Sequence, residues 1–216
     1  AAAAKEPEAV TCRPASELFQ GRPEILAIGA STGGPQALMN VMKSLGAVQV
    51  PVIITQHMPA TFTKMLADHI AEAAKIECYE AEDNMPLEAG KAYIAKGGYH
   101  MLIKSDKGRP YIKLDDSAPV NYCKPSVDPM VNSAMEIYGR KMLGVILTGM
   151  GHDGLESMTS LSAKNGRVIA QDEASSVVWG MPGAVAKAGI CAEILPLDKI
   201  GPRLISFVGA SRMTKS

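Results

Sequence analysis

The fold of this chain is decided by residues 25–35, which read ILAIGASTGGP. The apolar run at the start is bounded by turn residues and predicts a buried strand that ends before Ser31. Pro35 suits the first turn of a helix, where its missing N–H would be unpaired anyway, and apolar residues recur at helical spacing over 38–45. Ser31 is therefore expected at the carboxyl end of a strand, beside the free N–H groups of a helix start.

Three interpretations compete for this glycine-rich loop. A dinucleotide fingerprint has glycine where Ser31 stands and an acidic residue at the end of the second strand, whereas residues 55–57 read TQH. A P-loop has Lys and Ser/Thr after its last glycine, and this chain has Pro35 and Gln36 there. The third pattern fits: residues 29–33 form the G-x-S-x-G motif of a nucleophile elbow. A serine that only caps a helix remains the alternative.

The composition excludes several classes of protein. The 216 residues contain 22 basic and 22 acidic side chains, so nothing favours nucleic acid as a partner. The four cysteines lie far apart without a C-x-x-C pair, which predicts reduced thiols in a cytoplasmic protein. No apolar run reaches the length of a membrane span. We expect no metal, no organic cofactor, no membrane insertion and, without coiled-coil heptads, a monomer.

Strand and helix patterns alternate along most of the chain. They predict an α/β fold: a three-layer, doubly wound and mostly parallel sheet with helices on both faces. Two apolar segments within 101–114 flank a polar turn and predict a β-hairpin inserted at an edge. Residues 24–208 are expected to form the domain, with a linker-like segment over 1–23 and a tail over 209–216.

Three polar residues follow predicted strand ends: Ser31, His57 and Asp153. In an open parallel sheet, ligands bind outside the carboxyl ends of the strands. A serine hydroxyl needs an imidazole to take its proton, and a carboxylate on the other ring nitrogen orients that imidazole. These residues therefore predict a serine nucleophile, a base and an orienting acid. Their order is not the Ser, Asp, His order of α/β-hydrolases.

Each member of the set has a simpler alternative. His57 could be an ordinary loop histidine, and Asp153 could only cap the helix expected at Gly154. His152 could supply the imidazole instead. We favour His57, because it follows a strand one βα unit after Ser31, whereas the neighbours His152 and Asp153 would tend to point apart.

Four segments of this sequence resemble the motifs of one family. Residues 29–35 (GASTGGP), 56–59 (QHMP), 148–154 (TGMGHDG) and 171–182 (QDEASSVVWGMP) are similar to motifs of the catalytic domain of CheB-type protein-glutamate methylesterases. The likeness runs in matching order over residues 23–204. This likeness implies that residues 24–208 form a methylesterase catalytic domain.

The resemblance implies a bacterial chemotaxis enzyme. Such an enzyme hydrolyses glutamate γ-methyl esters on the cytoplasmic helices of methyl-accepting chemoreceptors to glutamate and methanol, and it can deamidate receptor glutamines. By motif, the implied roles are nucleophile for Ser31, base for His57, orienting acid for Asp153, oxyanion donors for Thr32 and Met150, and substrate-binding walls for Gln56, Met58 and Met181. For the methionines, core packing is the alternative.

The resemblance also implies a phosphorylatable receiver domain in cis. This sequence shows none before the linker-like residues, so we expect an isolated catalytic domain or a fragment. Two alternatives stay open for the function. One is a catalytically inactive module that binds receptors, and the other is a nucleotide-binding oxidoreductase, which the missing carboxylate and glycine disfavour.

Overall fold

The computed structural model describes residues 10–46 and 48–209, and its centre is a seven-stranded parallel sheet. In chain order the strands are β1 Ile25–Ala30, β2 Val52–Gln56, β3 Glu77–Glu80, β4 Lys91–Ile94, β5 His100–Asp106, β6 Arg109–Asp115, β7 Met142–Ile146, β8 Arg167–Gln171 and β9 Glu193–Leu195. The strand order in the sheet is β3-β4-β2-β1-β7-β8-β9. The two remaining strands, β5 and β6, form a separate hairpin.

Six α-helices among the described residues cover the two faces of the sheet. The first face carries α1 Gly34–Leu45, α2 Ala60–Ala74 and α6 Leu197–Val208. The second face carries α3 Val127–Tyr138, α4 Leu155–Ala163 and α5 Met181–Lys187. The predicted three-layer, doubly wound fold is therefore confirmed.

The central strand β1 shows why its sequence reads as a continuous apolar run. Successive side chains point to opposite faces of a sheet. Accordingly, Leu26 and Ile28 enter the core under α1, α2 and α6, whereas Ile25 and Ala27 enter the core under α3, α4 and α5. Since both faces are covered, neither set of positions can be polar.

The predicted hairpin is present, but it forms a separate sheet and does not lie at the predicted edge position. Among the described residues, β5 and β6 pair with each other as a two-stranded antiparallel sheet. Met101 and Ile103 of β5 are buried in the second core beside α3. The N–H of Ile103 also donates to Ser133 Oγ of α3 at 2.9 Å. The hairpin thus packs on a helix instead of extending the sheet.

The described part of the predicted linker contacts the α/β unit. The N–H of Arg13 donates to Cys191 O at 2.8 Å, and that of Phe19 donates to Asn165 O at 2.8 Å. Leu18 is buried. Residues 1–9 and 210–216, which include the rest of the predicted linker and nearly all of the predicted tail, lie outside the described residues.

The winding of the chain reverses beside β1. After β1 the chain adds β2, and later β3 and β4, on one side; it then crosses over and adds β7, β8 and β9 on the other. The loops after β1, β2 and β7 therefore meet at the switch point, where α/β sheets bind ligands. Within residues 10–46 and 48–209, every helix is too short or too polar to cross a bilayer.

Candidate active site

Strand pairing places Ser31 beside His57. The register of the parallel strands β1 and β2 aligns Ala30 with Gln56, the last residue of each strand. Ser31 and His57 are the next residues, and the His57 N–H donates to Ala30 O at 3.0 Å. The predicted convergence of these two strand ends is therefore present.

Asp153 completes the pair with His57. It lies in the loop between β7 and α4, and its Oδ2 is 2.7 Å from His57 Nε2. The Asp153 side chain is only 3% exposed and that of His57 is 13% exposed, so water screens this contact weakly. His152 is exposed, and no hydrogen bond in the described part of the chain joins its ring to Asp153. The structure thus pairs Asp153 with His57 rather than with His152.

Four donors surround the Asp153 carboxylate. Oδ2 accepts from His57 Nε2 and from the Val127 N–H, each at 2.7 Å. Oδ1 accepts from Ser126 Oγ at 2.6 Å and from Asn121 Nδ2 at 2.9 Å. Burial alone would raise the pKa of Asp153, but these hydrogen bonds outweigh it and lower the pKa to about 2. Asp153 therefore stays ionised and holds the His57 ring.

The structure does not support a role for Asp153 as the cap of α4. The residue at the start of that helix is Gly154, with φ of 91°, a conformation that glycine adopts readily. The carboxylate of Asp153 instead accepts from Val127, the first residue of α3. Asp153 therefore interacts with the start of α3 rather than with the start of α4.

The free nitrogen of His57 faces a cysteine. Because Nε2 donates to the carboxylate, Nδ1 carries the lone pair, and Cys123 Sγ lies 3.5 Å from it. Within the described residues, no hydrogen bond joins Ser31 Oγ to His57. Burial, and to a lesser extent the charge of Asp153, raise the pKa of the Cys123 thiol, which therefore stays protonated and donates weakly to Nδ1.

Three residues of this site were not predicted from the sequence: Asn121, Cys123 and Ser126. They belong to the segment before α3, where no spacing or motif points to chemistry. Among the described residues, His57, Cys123 and Asp153 form the one group of His, Cys and acidic side chains close enough to hold a metal ion, with ligand atoms within 4.8 Å of one another.

The Gln56 side chain connects the loop at Ser31 with the loop at His57. Its Nε2 donates to Ser31 O at 2.9 Å and to His57 O at 3.0 Å. The residue is only 2% exposed. The Ser31 backbone is also fixed by its own N–H, which donates to Thr148 O at 3.0 Å, and by the Gly34 N–H, which donates to Ser31 O at 2.8 Å.

The predicted methionine walls differ in position. Met181 is fully buried at the start of α5 and packs against Gly149. A Cβ atom at Gly149 would lie 2.5 Å from Met181 Sδ and 2.8 Å from Ser31 Cβ. Only glycine fits there. Met58 is partly buried against the first core, so core packing accounts for much of both side chains.

Two backbone donors near Ser31 are free. In the described part of the chain, the N–H groups of Thr32 and Met150 have no hydrogen-bond partner, and both residues are exposed. Thr148 connects their loops: its Oγ1 donates to Thr32 O at 2.9 Å and accepts from the Val178 N–H at 3.0 Å. Free, fixed N–H groups beside a hydroxyl suit a developing oxyanion.

The fold and the site define a class of protein. A serine, a histidine and a buried carboxylate lie at the switch point of a parallel α/β sheet, and the histidine is hydrogen-bonded to the carboxylate. Residues 26–204 match the family described as CheB methylesterase. The chain belongs to the CheB methylesterase family.

Similar proteins agree with this assignment. The chain is 54% identical over 192 residues to a protein-glutamate methylesterase/protein-glutamine glutaminase of Rhodospirillum centenum, covering 89% of this chain and 48% of that protein. It is 51% identical over 208 residues to the protein of the same name in Azospirillum brasilense, covering 94% and 53%. The crystal structure of the Thermotoga maritima CheB methylesterase catalytic domain has a TM-score of 0.83 and 38% identity, covering 88% of this chain and all of that one. The chain thus spans about half the length of the curated relatives it matches.

Proposed function

We propose that this chain is a catalytic domain that hydrolyses glutamate γ-methyl esters on chemoreceptors to glutamate and methanol. The observation that carries the proposal is the hydrogen bond from His57 to the buried Asp153 carboxylate, beside Ser31, in a member of the CheB methylesterase family. The names of the relatives from Rhodospirillum centenum and Azospirillum brasilense include a glutaminase. We therefore include deamidation of receptor glutamines, in which ammonia replaces methanol as the leaving group.

In the first half-reaction, His57 Nδ1 takes the proton of Ser31 Oγ as that oxygen attacks the ester carbon. The serine hydroxyl replaces the thiol of Cys123, a weak donor, at Nδ1. Asp153, which stays ionised, stabilises the imidazolium that forms. The N–H groups of Thr32 and Met150 receive the negative charge on the carbonyl oxygen.

Loss of methanol completes the first half-reaction, and the second, with water, regenerates the enzyme. The tetrahedral intermediate collapses, and the imidazolium gives its proton to the departing methoxide, so methanol leaves and an acyl-serine ester remains. A water molecule then attacks this ester while His57 Nδ1 takes its proton. The second collapse returns the proton to Ser31 Oγ and releases the glutamate side chain.

Two of the three predicted substrate-binding residues are buried and support the loops of the site rather than contacting a substrate. Gln56 and Met181 offer almost no surface to a substrate, because they are 2% and 0% exposed. Gln56 instead fixes the carbonyls of residues 31 and 57, and Met181 supports the loop at Gly149. Met58 is partly exposed and can form part of the wall.

The partners follow from the proposed substrate. Methyl-accepting helices of chemoreceptors lie in the cytoplasm, so we place the reaction there. A receiver domain, implied by the resemblance, would regulate access to the site in a longer protein. The balanced charge of the chain is consistent with a monomer that binds its substrate without nucleic acid.

Methanol release from a methylated cytoplasmic fragment of a chemoreceptor tests the proposal. We expect release by the unmodified chain, loss of release in Ser31→Ala and His57→Ala, and retained release in the matched control His152→Ala, whose exposed ring lies next to Asp153 in sequence. Equal rates in Ser31→Ala and the unmodified chain would contradict the proposal.

A further inference from the structure

We propose that His57 and Cys123 form an inhibitory binding site for Zn²⁺ or a similar thiolate-binding divalent ion. The ion would bind Nδ1, the nitrogen that acts as base in the proposed function, so the inhibition rests on that function while the binding does not. The observation behind the proposal is the 3.5 Å separation of His57 Nδ1 and Cys123 Sγ.

This separation suits a single metal ion. Zinc binds a thiolate at about 2.3 Å and an imidazole nitrogen at about 2.0 Å, and tetrahedral geometry then separates the two ligand atoms by about 3.5 Å. Thiolate and imidazole together select zinc and copper over magnesium and calcium, which prefer oxygen ligands. The two side chains could therefore bind the ion without a large rearrangement.

Asp153 acts as the outer partner of the histidine rather than as a third ligand. Its two oxygens already accept four hydrogen bonds, from His57, Val127, Ser126 and Asn121. A histidine that binds a metal usually donates its other ring N–H to a carboxylate, which fixes the ring and the tautomer. The bond from His57 Nε2 to Asp153 is of this kind, and it leaves Nδ1 free for a metal.

The thiol is held in place by its own turn. Val120 and Cys123 exchange two backbone hydrogen bonds, of 3.1 and 2.9 Å, around a turn in which Asn121 and Tyr122 have φ of 51° and 61°. Asn121 Nδ2 anchors the turn to Asp128 and Asp153. These two buried acidic side chains add negative charge next to the site, which favours a cation.

The metal ion can reach the site from solvent, and the binding step balances. Cys123 is partly exposed, so the ion can enter from solvent and keep water molecules as its remaining ligands. Binding converts the Cys123 thiol to a thiolate and releases its proton to solvent, and no oxidant or reductant takes part. With Nδ1 bound to the metal, Ser31 has no base, and a chelator should restore activity.

The first test measures hydrolysis of a small activated ester at increasing concentrations of Zn²⁺, relative to the metal-free rate of each variant. We expect reversible inhibition of the unmodified chain and a half-inhibitory concentration about tenfold or more higher in Cys123→Ser, because losing even an outer-shell partner of a ligand weakens metal binding by about 10–100-fold. The matched control is Cys12→Ser, which removes an exposed cysteine elsewhere and should leave the inhibition unchanged. Equal inhibition of Cys123→Ser and the unmodified chain would overturn the proposal.

The second test does not depend on esterase activity. Co²⁺ bound to a thiolate produces a sulfur-to-metal charge-transfer band in the near ultraviolet. We expect this band in the unmodified chain and in Cys12→Ser, and its loss in Cys123→Ser and His57→Ala. A missing band in the unmodified chain, or an unchanged band in Cys123→Ser, would overturn the metal site even if methanol release had established the esterase.

Discussion

Asp128 and Asp153 bind the starts of each other's helices: Asp128 lies in α3 and accepts from α4, whereas Asp153 precedes α4 and accepts from α3. Asp153 Oδ2 accepts from the Val127 N–H at the start of α3, and Asp128 Oδ1 accepts from the Ser157 N–H in the first turn of α4. Asn121 Nδ2 donates to both carboxylates, at 2.7 and 2.9 Å. Carboxylates are favourable at helix N-termini, so this exchange fixes both helix starts and, through Asp153, the His57 ring.

We expect Asp128→Ala to lower both stability and activity. It leaves the buried Ser157 N–H without its acceptor and releases one anchor of Asn121, which should cost about 1–3 kcal/mol of unfolding free energy. Urea denaturation and the rate of ester hydrolysis measure the two effects. The control Glu136→Ala removes an exposed carboxylate of α3 and should change stability by less than about 0.5 kcal/mol. Equal effects of the two variants would show that the exchange is unimportant.

Asp153 should make stability dependent on pH in the acid range. In the folded protein the pKa of Asp153 is lowered to about 2, whereas an Asp carboxyl in the unfolded chain has a pKa of about 4. The ionised carboxylate therefore stabilises the folded state fully above about pH 4, and this stabilisation is lost as the pH falls towards 2. We expect the unmodified chain to lose about 2 kcal/mol more unfolding free energy than Asp153→Asn between pH 5 and pH 2. Identical pH dependence in the two proteins would contradict this account of Asp153.

Gly149→Ala should reduce activity strongly. The new Cβ atom would lie 2.8 Å from Ser31 Cβ and 2.5 Å from Met181 Sδ, so the serine loop or the start of α5 must move. We expect the rate of ester hydrolysis to fall by about 10² or more, since small displacements of reacting groups are costly. Gly139→Ala is the control: its φ is 52° and its Cβ would meet nothing within 4 Å, so it should lower stability while activity is retained. Normal turnover by Gly149→Ala would exclude this packing constraint.

The Thr148 hydroxyl should matter for catalysis without contacting the substrate. Thr148→Val preserves the shape of the side chain but removes the acceptor of the Val178 N–H and the donor to Thr32 O. We expect about 1–3 kcal/mol lower stability and a lower turnover number, because the loops at Thr32 and Met150 lose their connection. Thr148→Ser keeps the hydroxyl and should restore most of both quantities. If Thr148→Ser is as impaired as Thr148→Val, the methyl group rather than the hydroxyl is responsible.

Much of the fold could be predicted because the signals are local. The apolar run of β1, the glycine turn and the helical spacing of α1 are consistent with one another, and parallel strands bring their carboxyl ends to one edge. This arrangement of the strand ends was enough to predict that Ser31 and His57 lie close together. The position of the hairpin could not be predicted in this way, because its sequence pattern indicates that β5 and β6 pair but not which surface the pair packs against.

The rest of the site depends on contacts between residues distant in sequence. Asp128 is one example: it lies in the first turn of α3, but its carboxylate accepts from the Ser157 N–H of α4. Cys123 carried no signal, because its contact with His57 arises only when the turn over 120–123 folds against the loop after β2. The burial of Gln56 and Met181 likewise depends on the packing of the helices around them.

The central claim is that His57 and Asp153 make Ser31 a nucleophile. Labelling with a fluorophosphonate probe, followed by mapping of the modified peptide, tests it most directly, because only an activated serine reacts rapidly. We predict a single modification at Ser31, absent in Ser31→Ala and strongly slowed in His57→Ala, while His152→Ala is labelled at the normal rate. A folded chain that stays unlabelled at Ser31, or that is labelled equally fast without His57, would contradict the claim.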